Sequence, residues 1–161
     1  MRKNHNKGLK MFSIFLMLLI ILIVLIISQG LKPVNKVKKE STKIAREVAD
    51  IQKVDEFYWF NREKNYYTVV GRDSKNQEKV VFIPQDGSEA LIMDWSAGIT
   101  EDEAIQLMLD VKEVKRLRKL TLGVYKGNPV WEVVATNQHN QIDYYLLDFE
   151  TGKIEQTLKN V

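Results

Sequence analysis

The chain has 161 residues, which is enough for one ordinary domain or two very small ones. Its net charge is +3, but four of the 24 basic residues and none of the 21 acidic residues fall in the first 27 positions, so the remainder is nearly neutral. A nucleic-acid-binding domain needs a basic surface of its own, which this nearly neutral remainder does not provide. The lack of cysteine excludes disulfides, cysteine-ligated zinc and thiol catalysis.

The first predicted element is a long apolar run, Met11–Ile27, in which Ser13 is the only polar residue. A helix of this length spans about 25 Å, close to the apolar thickness of a bilayer at about 30 Å. The sequence therefore predicts a basic cytoplasmic tail over 1–10 and a transmembrane signal-anchor over 11–29, with the lipid bilayer as its partner. Cleavage near Ser28-Gln29-Gly30 is the alternative, but the long apolar run favours retention.

The orientation of this anchor is predicted from its flanks. Four basic residues precede the apolar run and four lysines follow it, from Lys32 to Lys39 inclusive, so the positive-inside rule does not decide the orientation. The basic tail is typical of an export signal. We therefore expect a single-pass protein of the cell membrane, with its C-terminal domain extracellular.

A linker is predicted over 30–36, and apolar residues at steps of three, four and seven then predict a helix over Val34–Val54. Aromatic and β-branched runs predict the strands that follow. These strands are Glu56–Phe60, Tyr66–Arg72, Lys79–Ile83 and a short Glu89–Asp94. Together these elements form the first predicted repeat, 37–95.

A second repeat is predicted over 96–161. Thr100 and Glu103 have the spacing of a capping box, which starts a helix that we expect to end near Asp110–Lys112. The strands predicted after it are Leu120–Tyr125, Val130–Thr136, Ile142–Phe149 and Ile154–Leu158.

The two halves align when one is shifted along the chain onto the other without a gap. The offset that places Tyr67 on Trp131 also places Val81 on Tyr145, and the polar hairpin turns then coincide. This pattern indicates an internal duplication. The predicted fold class is α+β: an N-terminal transmembrane helix followed by two tandem units, each a helix packed on a short antiparallel sheet.

No catalytic, cofactor-binding or metal-ligating residue is predicted. The two histidines, His5 and His139, lie in the tail and in a hairpin turn, which suits neither a serine-protease arrangement nor a histidine metal site. The acidic residues mark helix starts and turns. We therefore expect a protein that is not an enzyme, with no cofactor, and we identify no small-molecule substrate.

The aromatic residues supply the candidate partner-binding side chains, which are Trp95, Tyr58 and Phe60. In an alternating strand one of the two pairs, 58/60 or 57/59, is expected to stay exposed and mark a partner surface. Trp95 lies in the connection between the repeats. It either plugs the interface between them or contacts a partner.

Three segments of the second repeat resemble the PepSY pattern: Ile99–Ala104, Gly127–Val133 and Leu147–Ile154. The whole layout is similar to the YpmB/TseB family, with a basic tail, one membrane helix and two PepSY-like (cystatin-like) units. The first repeat departs from the pattern at Ile83–Gly87. The resemblance implies a non-catalytic cell wall elongation regulator that binds a penicillin-binding transpeptidase of peptidoglycan synthesis. The alternative that PepSY units imply is a peptidase inhibitor or protease-regulating module.

Overall fold

The structure is a computed structural model that describes the backbone of residues 5–159 and the side chains of residues 9–25 and 34–159. Its architecture is α+β, as predicted. The helices are α1 (His5–Ala49) and α2 (Glu101–Leu109). The strands within the described residues are β1 (Ile51–Asn61), β2 (Asn65–Asp73), β3 (Glu78–Pro84), β4 (Leu91–Asp94), β5 (Val114–Tyr125), β6 (Asn128–Asn137), β7 (Ile142–Asp148) and β8 (Ile154–Leu158). The chain divides into two compact units, Met1–Lys39 and Glu40–Val161, and the second is termed the module.

The long helix α1 contains the predicted membrane segment, Met11–Ile27, although the side chains of its last two residues lie outside the described ones. Across the part of the chain that the structure describes, no helix has a stretch both long enough and apolar enough to cross a membrane. The predicted linker, 30–36, lies within the same helix.

Helix α1 ends at Ala49 and not at Val54, which corrects the predicted boundary. Asp50 has a φ of 54°, and its N–H donates to the carbonyl of Arg46 at 3.1 Å. A left-handed residue after the last helical turn redirects the chain. Ile51 then starts β1 with its side chain fully buried, so its apolar character reflects a place in the module core and not a helical stripe.

Two four-stranded antiparallel sheets follow, in the orders β1-β2-β3-β4 and β5-β6-β7-β8. Their central hairpins have the same register. Tyr67 pairs with Ile83 in the first sheet, and Trp131 pairs with Leu147 in the second, so both strands of the hairpin recur at one and the same offset along the chain. The observed architecture is thus consistent with the predicted tandem repeats.

The edge strands β1 and β5 also share their irregularities. The register of β1 shifts after Ile51 and after Val54, and the register of β5 shifts at the equivalent points, after Val114 and after Leu117. Each shift interrupts the alternation of inward and outward side chains. This interruption explains why the sequence pattern placed the start of β5 at Leu120 and not at Val114, where the strand begins.

The buried positions of the two helices correspond in the same way. Ser41 and Ala45 of α1 are 2% and 0% exposed, and their equivalents in α2, Ala104 and Met108, are both fully buried. Strands, turns and helices of the two repeats therefore share one backbone plan.

Helix α2 begins as predicted. The Thr100 hydroxyl accepts a hydrogen bond from the Glu103 N–H, and the Glu103 carboxylate accepts from the Thr100 N–H at 2.8 Å, which completes the capping box. The hydrogen bonds that the Glu103 carboxylate accepts from the Thr100 N–H and from the Thr100 hydroxyl lower the pKa of Glu103. The helix ends at Leu109, just before the predicted boundary region.

One hydrophobic core joins the repeats. Val70, Val80 and Phe82 of the first sheet belong to the same buried cluster as the inward side chains of α2 and of the second sheet. The buried hydroxyl of Thr68 in β2 also donates to the backbone carbonyl of Leu122 in β5 at 2.8 Å. The two repeats are therefore halves of a single packed body.

Gly123 of β5 provides a test of this packing, because a Cβ added there would overlap the ring of Phe60. We expect Gly123→Ala to destabilise the module by about 1–3 kcal/mol through overpacking. Gly127→Ala is the matched control, since Gly127 has a φ of 85° but nothing within 4 Å of an added Cβ, so only backbone strain of about 1–2 kcal/mol applies. Chemical unfolding followed by tryptophan fluorescence measures both.

The two variants are distinguished by coupling to Phe60. Adding Phe60→Leu should restore part of the stability that Gly123→Ala loses and none of the stability that Gly127→Ala loses. If Phe60→Leu changed the stability of both glycine variants by the same amount, the packing of Phe60 over β5 would be contradicted.

Candidate functional site

Trp95 lies at the junction of the repeats. It begins a 3₁₀ turn, Trp95–Ala97, that follows β4, and its ring is half-buried. The ring centroid lies 6.3 Å from that of Trp131 and 5.8 Å from that of Phe149. Trp95 therefore packs onto the core of the second repeat. A contact of its remaining exposed surface with a partner stays a prediction.

Tyr58 belongs to the same junction. Its ring meets the ring of Trp131 edge to face at a centroid distance of 5.4 Å, and its hydroxyl donates to the Glu101 carboxylate at 2.6 Å. Burial raises the pKa of Tyr58 above its ordinary value, and the hydrogen bond to Glu101 raises it further. Tyr58 thus ties β1 to the start of α2 and presents little free surface.

Phe60 is completely buried and packs with Val130 and Leu146 of the second sheet. Of the two alternatives, 58/60 or 57/59, the 58/60 pair lies on the face of β1 that the second repeat covers, so Phe60 is not available as the partner-binding side chain that was predicted. The exposed aromatic side chain is on the opposite face, where Trp59 is 36% exposed and meets Tyr67 edge to face at 5.6 Å.

An ion pair crosses from the first repeat to the second. Arg62, in the turn between β1 and β2, donates from Nε to the carboxylate of Glu132 on β6. The side chains are only 18% and 11% exposed. The guanidinium carbon also lies 5.1 Å from the centroid of the Tyr144 ring. Arg62 is therefore held by a charge-assisted hydrogen bond and a cation–π contact.

A surface cavity of about 530 Å³ opens beside this ion pair. It is termed the Arg62 pocket, and the lining residues that concern recognition are Arg62, Glu63, Tyr125, Lys126, Glu132 and Tyr144. Sequence reasoning missed this pocket. The signal available in the sequence was Glu132, the one charged residue of β6, which lies between apolar neighbours.

A second cavity of about 400 Å³ lies near the turn between β6 and β7 and includes His139. Asp143 at this cavity is 1% exposed and accepts from the Asn137 side-chain amide at 3.1 Å. The Asn137 side-chain oxygen in turn accepts from the backbone N–H groups of His139 and Gln141. Asp73 makes the same contacts in the first repeat. These groups hold a hairpin turn.

Among the residues that the structure describes, no group of three or more histidine, cysteine, aspartate or glutamate residues is placed to hold a metal ion. The acidic residues near α2 have structural contacts instead: Glu101 binds Tyr58, and Glu103 caps the helix.

Comparison with known proteins connects this fold to one family. The family profile described as "Cell wall elongation regulator TseB-like domain" matches residues 40–84. The chain is 30% identical over 118 residues to the "Probable cell wall elongation regulator TseB" of Bacillus subtilis (strain 168), across 73% of this chain and 71% of that relative. It also superposes on the solved structure of the "YpmB protein from Bacillus subtilis" with a TM-score of 0.69 and 27% identity, over 75% of this chain and 95% of that chain.

The junction provides a prediction about pH. The folded module keeps Tyr58 neutral above its ordinary pKa of 10.0, whereas the unfolded chain ionises it, so stability is lost as the pH rises through about 10. We expect the melting temperature to fall more steeply between about pH 9 and about pH 11 in the natural chain than in Tyr58→Phe. Calorimetry at a series of pH values measures the difference. Parallel pH profiles would show that Tyr58 is not held neutral at the junction.

Proposed function

This chain belongs to the TseB-like family of cell wall elongation regulators, and we propose that it regulates elongation by binding a membrane-bound transpeptidase. The observation that carries the proposal is the similarity to a probable cell wall elongation regulator over most of both chains. The fold adds support, because two repeats fused through one core present a rigid surface. Binding by such a surface, without catalysis, is the function proposed.

The proposal includes attachment to the cell membrane through Met11–Ile27, with the module outside the cell. The long uncharged run and the basic tail before it support this placement. Confining regulator and transpeptidase to one membrane surface raises their effective concentration, so a weak contact is sufficient.

The exposed apolar side chains of the module are the proposed contact points. Trp59 on β1 is 36% exposed, Ile92 on the edge strand β4 is 41% exposed, and Leu107 on α2 is 43% exposed. Large apolar side chains at the surface are typical anchors of protein interfaces. Trp59 and Leu107 lie on different repeats, so substitutions at these two positions probe the surfaces of the first and the second repeat separately.

Attachment and orientation are tested with an epitope placed after Val161. In intact cells we expect added protease to remove this epitope from a full-length band that fractionates with membranes, because the module faces outward. An epitope placed before Met1 is the matched control and should resist digestion until the cells are lysed. Protection of the C-terminal epitope in intact cells would place the module in the cytoplasm and end the proposal.

Partner binding is tested by photo-crosslinking in growing cells. A photoreactive amino acid replaces Trp59 or Leu107, and Lys75, which is exposed in the turn between β2 and β3, is the control position. We expect a crosslinked species that contains a transpeptidase, identified by mass spectrometry, from at least one of the two apolar positions and not from Lys75. Recovery of no cell wall synthesis enzyme from either position, at normal protein level, would contradict the proposal.

A further inference from the structure

The two repeats differ most at one face of their sheets. In the first sheet Thr68 and Val80 are fully buried, and the Thr68 hydroxyl donates to Leu122 of the second repeat. The equivalent residues of the second sheet, Glu132 and Tyr144, carry a charge and an aromatic ring and line the Arg62 pocket. In the first repeat this face is covered by the second repeat, whereas in the second repeat the equivalent face lines a pocket.

The guanidinium of Arg62 is positioned before any ligand arrives. Its Nε donates to Glu132, and its guanidinium carbon lies over the Tyr144 ring, 5.1 Å from the centroid. Within the described residues, its two terminal amino groups make no hydrogen bond. An arginine fork presents donors with the spacing of carboxylate oxygens, so this free edge suits a carboxylate.

Lys126 adds a second cation to the same pocket. It lies in the two-residue turn between β5 and β6, with Nζ 5.2 Å from the centroid of the Tyr125 ring. Tyr125 and Tyr144 contribute aromatic surface to the pocket lining, and Glu63 offers an acceptor for an amine or amide N–H. The pocket therefore combines two cations, aromatic surface and one free acid.

The charge balance of the pocket, with two cations and two carboxylates, disfavours a ligand that carries several negative charges. Glu132 already neutralises part of the charge on Arg62, and Glu63 disfavours a highly charged anion such as a phosphate cluster. The hydroxyls of a neutral sugar would accept hydrogen bonds from the guanidinium but without the opposite charge that makes a carboxylate–guanidinium pair stronger. A volume of about 530 Å³ is in the usual range for sites that enclose a small ligand, about 300–1,000 Å³.

We propose that the Arg62 pocket binds the free carboxylate of a short peptide. The carboxylate lies on the terminal amino groups of Arg62 and near Lys126, and the peptide chain runs over the tyrosine rings towards Glu63. Such a carboxylate occurs both on the peptide stems of a bacterial wall, which contain D-amino acids, and at the C-terminus of a protein. The site is independent of the proposed transpeptidase contact.

The probes are tripeptides titrated into the isotopically labelled full chain in detergent micelles, followed by NMR. Diacetyl-L-Lys-D-Ala-D-Ala and its all-L isomer carry the carboxylate, and the C-terminal amide of each lacks it. We expect shifts of the Arg62, Lys126 and Tyr144 resonances, and at least about tenfold weaker binding of the amides, since a charge-assisted hydrogen bond is lost. Preference for the D form identifies wall stems as the source, and preference for the L form identifies a protein C-terminus.

Variants separate recognition from folding. Lys126 has a φ of 50°, a conformation that asparagine tolerates, so Lys126→Asn should weaken binding without a loss of stability. Lys153→Asn makes the same change of net charge outside the pocket and should bind normally. The double variant Arg62→Gln with Glu132→Gln removes both members of the ion pair, so no buried charge is left unpaired, and it should abolish the preference for the free carboxylate.

Three results would overturn the site. These are no binding of either free-carboxylate peptide, equal binding of acid and amide, or normal carboxylate preference in a folded double variant. Melting temperatures of each variant, measured in the same micelles, show that the module is folded. Because these readouts require no transpeptidase, failure here leaves the crosslinking result unaffected, and the reverse also holds.

Discussion

The packing of Trp131 against both repeats is the interaction on which the rest of the module depends. Its ring meets Tyr58 of the first repeat and Trp95 of the connection, and its indole N–H donates to the carbonyl of Ile99 at 3.0 Å. A repeat of about 60 residues buries too little apolar surface to be stable by a wide margin. Sharing one core solves this problem, and it also fixes the position of every surface that spans the two repeats.

The two repeats share one backbone plan but differ in their side chains. The bulges, the hairpin registers and the buried helix positions all correspond at nearly the same offset along the chain. The face that carries Thr68 and Val80 lies at the internal interface. The equivalent face of the second repeat, with Glu132 and Tyr144, lines an open pocket and carries charge. Whether this face of the sheet packs inside the module or is open to a ligand therefore depends on the position of the repeat in the tandem, and not on the fold of the repeat.

The function proposed for the chain follows from this division of surfaces. A regulator that works by contact needs a rigid body, exposed anchors and confinement near its partner. The shared core provides the rigidity, and Trp59 and Leu107 provide apolar surface on separate repeats. Confinement at a membrane, where the apolar run 11–27 supports attachment, lowers the affinity that each contact must supply.

The sequence by itself determined the features that depend on neighbouring residues. Period-two alternation predicted the hairpins, the Thr100 and Glu103 spacing predicted the helix cap, and self-comparison predicted the repeat, because each of these signals is local or is a copy of a local signal. The start of β5 was missed where bulges interrupt the alternation, and the end of α1 was missed where Asp50 adopts a left-handed conformation.

Only the tertiary structure decided which face of β1 is covered and which groups meet at the Arg62 pocket. Alternation shows that residues 58 and 60 lie on one face and residue 59 on the other, but the choice of buried face depends on how the second sheet packs. Arg62 and Glu132 lie far apart in the chain, on different repeats, and nothing in either local sequence refers to the other. Contacts of this kind arise from the packing of complete repeats, so they become visible only after the chain has folded.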